Sequence, residues 1–351
     1  MGLKILHSAD WHLDSSFSRM DAERKAFLRE ELKKVPRKIG DLCRREGCDL
    51  VLLSGDLFDG LWSRESVHEV YRALEEMVVP VFISPGNHDF CSLESPWLRV
   101  QWPENVHIFR NGLEYVDIPQ LDCRVYGAGY QSMDCPGLLE GFRAEGAAKY
   151  RIALLHADPI QLNSPYCPVT AAQVRDSGLD YLALGHIHKA GSFRAGKTLC
   201  AWPGCPMGRG FDETREKGVY IVSLEENASV AFVLLDTPRF YELEADAEEL
   251  GDVLPPVADS HFYRVRIQGT SGADLKNLQE EYAAFANLQL IDERVPETDL
   301  WEHAGEDTLE GTFLSLLREK LENAEQEEAE LVTLAAELSR KLLEGRTVEL
   351  P

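Results

Sequence analysis

The sequence predicts an α/β fold that is followed by a smaller α+β unit and a helical tail. Three observations support this prediction. From residue 1 to about residue 235, short apolar runs alternate with helix-type segments, which is the pattern of α/β domains. The pattern changes near residues 236–238, and Pro255 and Pro256 mark a loop soon afterwards. The last segment, residues 307–344, carries apolar residues at helical spacing.

Five apolar runs are predicted to be buried strands of a parallel sheet. Each holds four to six apolar or β-branched residues and is bounded by Gly, Pro or Asp, as is typical of strands covered on both faces. The runs are residues 4–9, 50–54, 81–84, 151–155 and 181–184. Helices are predicted over residues 21–45 and 64–77, and a strand pair around residues 125–127 and 218–224 fits a second sheet.

The region after residue 237 reads as strand (261–268), helix (273–287) and strand (289–294), which is a small α+β unit. Two apolar stripes at helical spacing follow in the tail. They either pack on their own domain or form a docking face for a partner helix. The predicted domains are residues 1–236, 237–300 and 301–351. The two stripes are Leu309, Phe313, Leu316, Leu317 and Leu321, then Leu331, Leu334, Ala335, Leu338 and Leu342.

The bulk composition is that of a soluble globular protein. Of the 351 residues, 44% are hydrophobic, no apolar run approaches the roughly 20 residues that span a bilayer, and the N-terminus has no signal-peptide layout. A cytoplasmic location is therefore expected. The eight cysteines are irregularly spaced without a CxxC motif, which favours reduced structural thiols over a zinc–thiolate site.

The net charge of −24 is unevenly distributed. Residues 241–351 contain 27 acidic and 9 basic residues, which is a net charge of −18. A polyphosphate binder normally shows a basic stripe, and this sequence shows none. Either nucleic acid is not the substrate, or metal ions and a partner hold it.

Each of the five predicted strands is followed by, or ends in, side chains of the types that bind metal ions. Sites in α/β sheets form at the carboxyl ends of strands, so we expect these side chains to converge. Carboxylate, imidazole and amide donors without thiolate suit Mn, Fe, Zn or Co. Seven ligands are too many for one octahedral ion that also binds substrate, but they divide well over two ions with one bridging carboxylate. The candidate ligands are Asp10, His12, Asp56, Asn87, His156, His186 and His188.

The order of these motifs resembles the calcineurin-like metallophosphoesterase superfamily. Within it, the chain is similar to the DNA-repair exonuclease branch, which includes the nuclease subunit of the bacterial SbcCD complex and YhaO-like proteins. The resemblance covers about residues 3–235. It implies a β-sandwich flanked by helices in α-β-β-α layers, with a small α+β capping domain and C-terminal helices. The motifs that carry it are Ser8-Ala9-Asp10-Trp11-His12-Leu13-Asp14, Gly55-Asp56-Leu57-Phe58-Asp59, Gly86-Asn87-His88-Asp89, Gly185-His186-Ile187-His188-Lys189 and Pro203-Gly204-Cys205-Pro206-Met207-Gly208-Arg209.

The resemblance also implies roles for the residues of the site. Metal-activated water would attack the phosphodiester phosphorus while two divalent ions, Mn first, with Fe, Zn, Co or Mg as alternatives, stabilise the developing charge. His88 would contact the phosphate or protonate the leaving oxygen. Asp59 would fix the His88 tautomer, unless it only caps a helix. One ion falls to Asp10, His12, Asp56 and His188, and the other falls to Asp56, Asn87, His156 and His186.

The function expected from this resemblance is that of the nuclease subunit of a DNA-repair exo/endonuclease complex. The alternatives are a phosphodiesterase or phosphatase for small substrates and, more remotely, a non-catalytic scaffold. DNA is the expected substrate, and an SMC-like ABC ATPase is expected to bind the C-terminal helices. The candidate DNA contacts, which could equally be ordinary surface cations, are Lys189, Arg209, Arg215 and Lys217. A homodimer is expected through Trp62, Val67, Val70, Tyr71, Trp97 and Trp102, which could equally be core residues.

Overall fold

The computed structural model describes residues 2–270, 274–295 and 300–343. In these ranges the strands are β1 (Leu3–Ser8), β2 (Leu50–Leu53), β3 (Val81–Ile83), β4 (Val106–Ile108), β5 (Glu114–Ile118), β6 (Cys123–Gly127), β7 (Tyr150–His156), β8 (Tyr181–Gly185), β9 (Gly191–Ala195), β10 (Thr198–Trp202), β11 (Gly218–Leu224), β12 (Ala228–Leu234), β13 (Phe240–Asp246), β14 (Phe262–Gln268) and β15 (Leu288–Asp292). The helices are α1 (Ala22–Lys33), α2 (Val35–Glu46), α3 (Arg64–Glu76), α4 (Pro96–Arg99), α5 (Ala171–Asp176), α6 (Leu250–Val253), α7 (Leu275–Glu281), α8 (Leu309–Glu322) and α9 (Gln326–Leu343).

Two six-stranded sheets form the framework of the site. The first has the order β12-β11-β1-β2-β3-β4, and the second has the order β5-β6-β7-β8-β10-β9. Strands β1 to β4 run parallel to one another, and so do β6, β7, β8 and β10. A third, three-stranded sheet has the order β13-β14-β15.

Alternating side chains on the central strands fill separate layers of core. Leu50 and Leu52 pack in the core between the two sheets, whereas Val51 and Leu53 pack in the core shared with the first three helices. This alternation follows from the two-residue period of a strand. A further core on the outer face of the second sheet includes Val174 of α5. The α-β-β-α layering implied by the resemblance is therefore confirmed.

Three expectations about the elements need correction. The five ligand-bearing strands lie in two sheets, not in one parallel sheet. β11 does not join the second sheet, because it pairs with β1 in the first. The helix expected over residues 21–45 is interrupted at Lys34, since Pro36 lacks the N–H that a continuous helix requires.

The chain divides into two compact units. The first consists of Met1–Leu243, Pro255–Val265 and Gln279–Ile291, and the second consists of Glu244–Leu254, Arg266–Leu278 and Asp292–Pro351. The domain limits expected from sequence stay a prediction, and residues 271–273 and 296–299 of the predicted middle domain and residues 344–351 of the predicted tail lie outside the described residues. In the second unit, α8 and α9 pack against each other. No helix of the described ranges has the length and apolar content needed to cross a bilayer, and all eight cysteines are free.

Candidate metal centre

The candidate ligands meet where strands of both sheets end. Asp10 and His12 follow β1, Asp56 follows β2, and His156 closes β7. The Asp10 amide donates to the Gly55 carbonyl at 3.0 Å, which ties the first two loops together. The side chains of Asp10, His12, Asp56 and His156 are at most 2% exposed. A polar cluster this deeply buried requires partners for every charge.

The backbone at the ligands adopts an uncommon conformation. Asp10, His12, Asp56 and His186 have φ angles of 55°, 50°, 51° and 87°, in the left-handed region. This conformation costs a non-glycine residue about 1–2 kcal/mol, so the surrounding contacts must hold it in place. Gly86 permits the close approach, because a Cβ there would lie 2.3 Å from Oδ1 of Asp56.

His12 and His188 face each other across the first candidate metal position. Their Nε2 atoms are 3.1 Å apart, while His12 Nδ1 lies 3.1 Å from Asp59 Oδ1 and His188 Nδ1 lies 2.7 Å from Glu213 Oε1. With the proton of each ring on Nδ1, where a carboxylate can accept it, both rings keep a lone pair on Nε2. Two lone pairs at this distance repel each other unless a cation lies between them. The first cluster consists of Asp10, His12 and His188, whose ligand atoms lie within 4.8 Å of one another.

The second cluster comprises Asp10, Asp56 and His156, with Asn87 beside them. His156 Nδ1 donates to the Ser54 carbonyl oxygen at 2.8 Å. Its Nε2 then faces Oδ2 of Asp56 at 3.3 Å and Oδ1 of Asn87 at 3.0 Å. Burial lowers the pKa of His156, but the charges of Asp56 and Asp10 raise it more, to about 9. A position that attracts a proton so strongly also attracts a metal cation.

One buried oxygen supports the same conclusion independently. Oδ2 of Asp10 is buried and has no hydrogen-bond partner in the described part of the chain, while Oδ1 accepts from the His186 amide at 3.0 Å. An unsatisfied carboxylate oxygen inside a protein is costly unless a cation binds it. The residues present therefore fit divalent metal ions, and their oxygen and nitrogen donors suit Mn, Fe, Zn or Co.

Two histidines are placed differently from the expected ligand scheme. The His186 ring lies beside His156, with 5.3 Å between centroids, but it belongs to neither cluster. Its Nε2 is 3.8 Å from Oδ2 of Asp158. Burial, followed by the charge of His156, lowers the His186 pKa to about 4. His88, expected to be no ligand, comes within 4.8 Å of ligand atoms of His12 and Asp56. The roles of both residues stay predictions.

Asp59 joins the metal cluster to the candidate acid. Its Oδ1 is 2.9 Å from Nδ1 of His88 and 3.1 Å from Nδ1 of His12. The hydrogen bond to Asp59 raises the pKa of His88 above its ordinary value. The His88 side chain is 41% exposed, so an incoming substrate can reach it. One carboxylate thus orients both a candidate ligand and a candidate proton donor.

Two carboxylates that hold the site were not assigned a role from the sequence. Glu213 accepts from His188 and pairs with Arg209 at 2.8 Å. Asp89 accepts from the amides of Gly86 at 2.7 Å and Leu57 at 2.8 Å, which holds two ligand loops together. Burial and the neighbouring Asp56 raise the Asp89 pKa to about 7. The position of Asp89 in the Gly-Asn-His-Asp motif was an available signal, whereas nothing in the sequence singles out Glu213.

The four candidate DNA contacts separate into two pairs. Lys217 is 4% exposed with its Nζ 3.4 Å from the His188 carbonyl oxygen, and Arg209 is bound to Glu213. Both side chains hold the loop at His188, and their role as DNA contacts stays a prediction. Lys189 and Arg215 are exposed, and neither forms an ion pair within the described ranges.

The sequence also matches known proteins. Residues 3–190 match the family described as calcineurin-like phosphoesterase. The uncharacterized metallophosphoesterase YhaO of Bacillus subtilis is 33% identical over 237 residues, which is 63% of this chain and 57% of that protein. A subunit of the nuclease SbcCD from Staphylococcus epidermidis is 23% identical over 291 residues, which is 71% of this chain and 74% of that protein. The 3',5'-cyclic adenosine monophosphate phosphodiesterase CpdA of Haemophilus influenzae is 28% identical over 174 residues, which is 47% of this chain and 58% of that protein. The match thus spans less than two thirds of YhaO and of the cyclic-nucleotide enzyme.

Proposed function

The chain belongs to the calcineurin-like phosphoesterase family, and on that premise we propose that it is a two-metal phosphodiesterase that cleaves DNA as the nuclease subunit of a repair complex. The observation that carries this proposal is the pair of largely buried clusters that share Asp10, with the partly exposed histidine–aspartate pair of His88 and Asp59 beside them. That arrangement suits hydrolysis of a phosphodiester, in which an attacking and a leaving oxygen both need stabilisation.

The mechanism follows from what each side chain can do. Divalent ions held by Asp10, His12, Asp56, Asn87, His156 and His188 would activate a water molecule and offset charge on the phosphate. His186 completes the proposed ligand set. His88, whose pKa is raised by its contact with Asp59, donates a proton from Nε2 to the leaving oxygen. Asp59 keeps the His88 ring in the tautomer that exposes Nε2.

Support for a nucleic-acid substrate comes from a groove beside His186 and His188. The groove has a volume of about 1160 Å³ and includes Lys189 and Arg215. These two cations form no ion pair within the described ranges, although the chain as a whole is strongly acidic. Phosphate contacts of this kind fix the register of a strand without reading its sequence. Relatives named as subunits of a nuclease support the same substrate.

A second candidate function is hydrolysis of a small phosphodiester. The match to a cyclic-nucleotide phosphodiesterase favours it. So does the acidic charge, because a small substrate needs no basic surface. This alternative does not explain why the chain has a helical tail.

We also propose two protein partners. Leu309, Leu316 and Leu331 of the tail are 84%, 60% and 66% exposed, which suits docking of an SMC-like ATPase. Three of the six dimer candidates need correction, since Val70, Trp97 and Trp102 are at most 9% exposed and belong to the protomer's own core, whereas Trp62, Val67 and Tyr71 are partly exposed. Exposed Leu61 and Leu93 are the better candidates for a homodimer, for which light scattering at micromolar concentration should give twice the chain mass.

One assay separates the two functions. The purified chain is incubated with Mn²⁺ and with single-stranded DNA, linear duplex DNA, 3',5'-cyclic AMP or bis-p-nitrophenyl phosphate. We expect DNA and the chromogenic diester to be cleaved, and the activity to disappear with EDTA. The His68→Asn variant, altered on α3 outside the centre, serves as a control that should keep the wild-type activity. Cleavage of the cyclic nucleotide without cleavage of DNA would favour the second candidate.

A further inference from the structure

A second cavity opens beside the metal centre. It has a volume of about 980 Å³, within the range of ligand pockets, and lies in the first compact unit. Asp59 and His88 line part of it, and Tyr282 and Phe285 line another part. A group bound in the part lined by His88 would therefore lie beside the candidate proton donor.

Several aromatic side chains lie in the wall of this cavity. Phe17 and Phe211 contribute to the wall together with Tyr282 and Phe285. The Arg264 guanidinium stacks on the Phe211 ring, with 3.9 Å from its Cζ to the ring centroid. Rings and guanidinium planes are the surfaces on which nucleobases stack.

The charges of the cavity compensate one another. Arg24 pairs with Asp21 at 2.8 Å, and Arg209 pairs with Glu213 at 2.8 Å. The remaining two arginines of the wall are also paired, Arg264 with Glu242 at 3.0 Å and Arg19 with Asp212 at 3.7 Å. A wall that combines aromatic rings with arginines already held in ion pairs suits a planar group better than a phosphate.

The groove beside His188 and the cavity beside His88 therefore differ in chemistry. Lys189 and Arg215 in the groove offer cations without an ion-pair partner in the described ranges, whereas the cavity offers stacking surfaces. A nucleic acid strand alternates charged phosphates with planar bases. A strand whose scissile phosphate lies at the metals can place a neighbouring phosphate in the groove and a base in the cavity.

We propose that this cavity binds an unpaired nucleobase adjacent to the scissile phosphate, so that the preferred substrate is a single strand or a frayed end. The inference rests on the proposed nuclease function. A base inside an intact duplex is stacked on both faces and must leave the stack before it can enter such a pocket, and this unstacking opposes binding of duplex DNA.

The test uses one single-stranded oligonucleotide and a series in which a single base is removed at successive positions. Products are mapped to the nucleotide after incubation with Mn²⁺. Loss of the base that occupies the cavity should slow cleavage of the adjacent bond roughly tenfold, the order of one base–aromatic stack. If the wild-type protein cleaves every member of the series equally, no base is bound in the cavity and the inference is wrong.

A variant adds a second readout. In Tyr282→Ala, removal of the base should no longer slow the adjacent cleavage, whereas Tyr115→Ala, an exposed aromatic of β5 outside the cavity, should keep the wild-type profile. A Tyr282→Ala profile identical to that of the wild type would contradict the assignment of this cavity. If the wild-type protein cleaves no DNA at all, the proposed function fails and this inference with it. DNA cleavage that ignores the missing base removes the inference alone.

Discussion

Three histidines of the centre are each oriented by an acceptor on Nδ1. His12 uses Asp59, His188 uses Glu213, and His156 uses the Ser54 carbonyl oxygen. The candidate ligands themselves could be predicted, since each follows an apolar run at a strand end. The orienting groups could not, because Glu213 is 25 residues from His188 and only the folded chain brings them together. The position of His186 outside both clusters could not be predicted either, because it depends on contacts of its ring with Asp158 and Tyr166 in the folded chain.

At the residue scale, we predict that His88→Asn keeps the fold and both metal ions but lowers kcat at least 100-fold. The reason is that a positioned proton donor contributes about 10²–10⁴ in rate, and Asn cannot supply a proton. Hydrolysis of bis-p-nitrophenyl phosphate and metal content by mass spectrometry measure the two effects. Loss of one ion from this variant would instead identify His88 as a ligand.

Asp59→Asn should have a broader effect than His88→Asn. Because Oδ1 of Asp59 accepts from both His12 and His88, we expect a roughly 10- to 100-fold loss of metal affinity in addition to the loss of rate. Titration of the metal-free variants with Mn²⁺ gives the affinities, and His88→Asn is the matched control. Equal metal affinity in the two variants would show that the contact with His12 has no energetic role.

At the element scale, strand positions were predictable and sheet membership was not. Apolar runs identify β1, β2, β3, β7 and β8, because burial on both faces removes polar residues from such strands. The same runs contain no information about which strand lies next to which. The assignment of β11 failed for this reason. β11 lies near the end of the segment Met1–Leu243, but it pairs with β1 at the beginning of that segment.

His7 links the two sheets and makes stability depend on pH. Its Nδ1 contacts the Tyr181 hydroxyl of β8 and its Nε2 contacts Ser54 Oγ, both at 2.7 Å. Burial lowers the His7 pKa to about 3 despite a backbone hydrogen bond that raises it. Below about pH 6.5 the unfolded chain therefore binds a proton that the folded chain does not. Stability should fall as the pH decreases from about 6.5 towards 3, by at most about 1.4 kcal/mol per pH unit from this group.

The variant His7→Gln isolates this contribution. Urea unfolding of both proteins in EDTA, over a pH series from neutral to mildly acidic, should show a shallower decrease in the free energy of unfolding for the variant. Other groups titrate equally in both proteins, so the difference between the slopes reports on His7. Parallel slopes would mean that the imidazole is protonated in the folded state.

At the scale of the whole molecule, charge and function are distributed unequally. The metal centre lies in the first compact unit, whereas residues 241–351 carry a net charge of −18. The helical tail was predictable from its periodicity. Its core-facing residues were not, because Leu314, Val332 and Ala336 are buried and none of these three belongs to the predicted stripes. Several residues of those stripes thus remain exposed, as a docking face requires.

Leu316→Glu should weaken binding of the SMC-like ATPase at least tenfold without changing hydrolysis of a small diester. A charge placed on a 60% exposed leucine interferes with an apolar contact but leaves the helix folded. Co-purification with the ATPase and affinity by calorimetry provide the readout. Leu234→Glu, at a 46% exposed leucine of β12, is the matched control. Equal affinity for both variants would indicate that the tail does not dock.

The most direct test of the two-metal centre is a crystal structure in Mn²⁺ with anomalous diffraction data. We predict two anomalous peaks, one among Asp10, His12 and His188 and one among Asp56, Asn87 and His156. Each peak should lie about 2.0–2.4 Å from the nitrogen and oxygen atoms of those side chains. A map that shows no peak at both positions, from protein saturated with Mn²⁺, would contradict the existence of the centre.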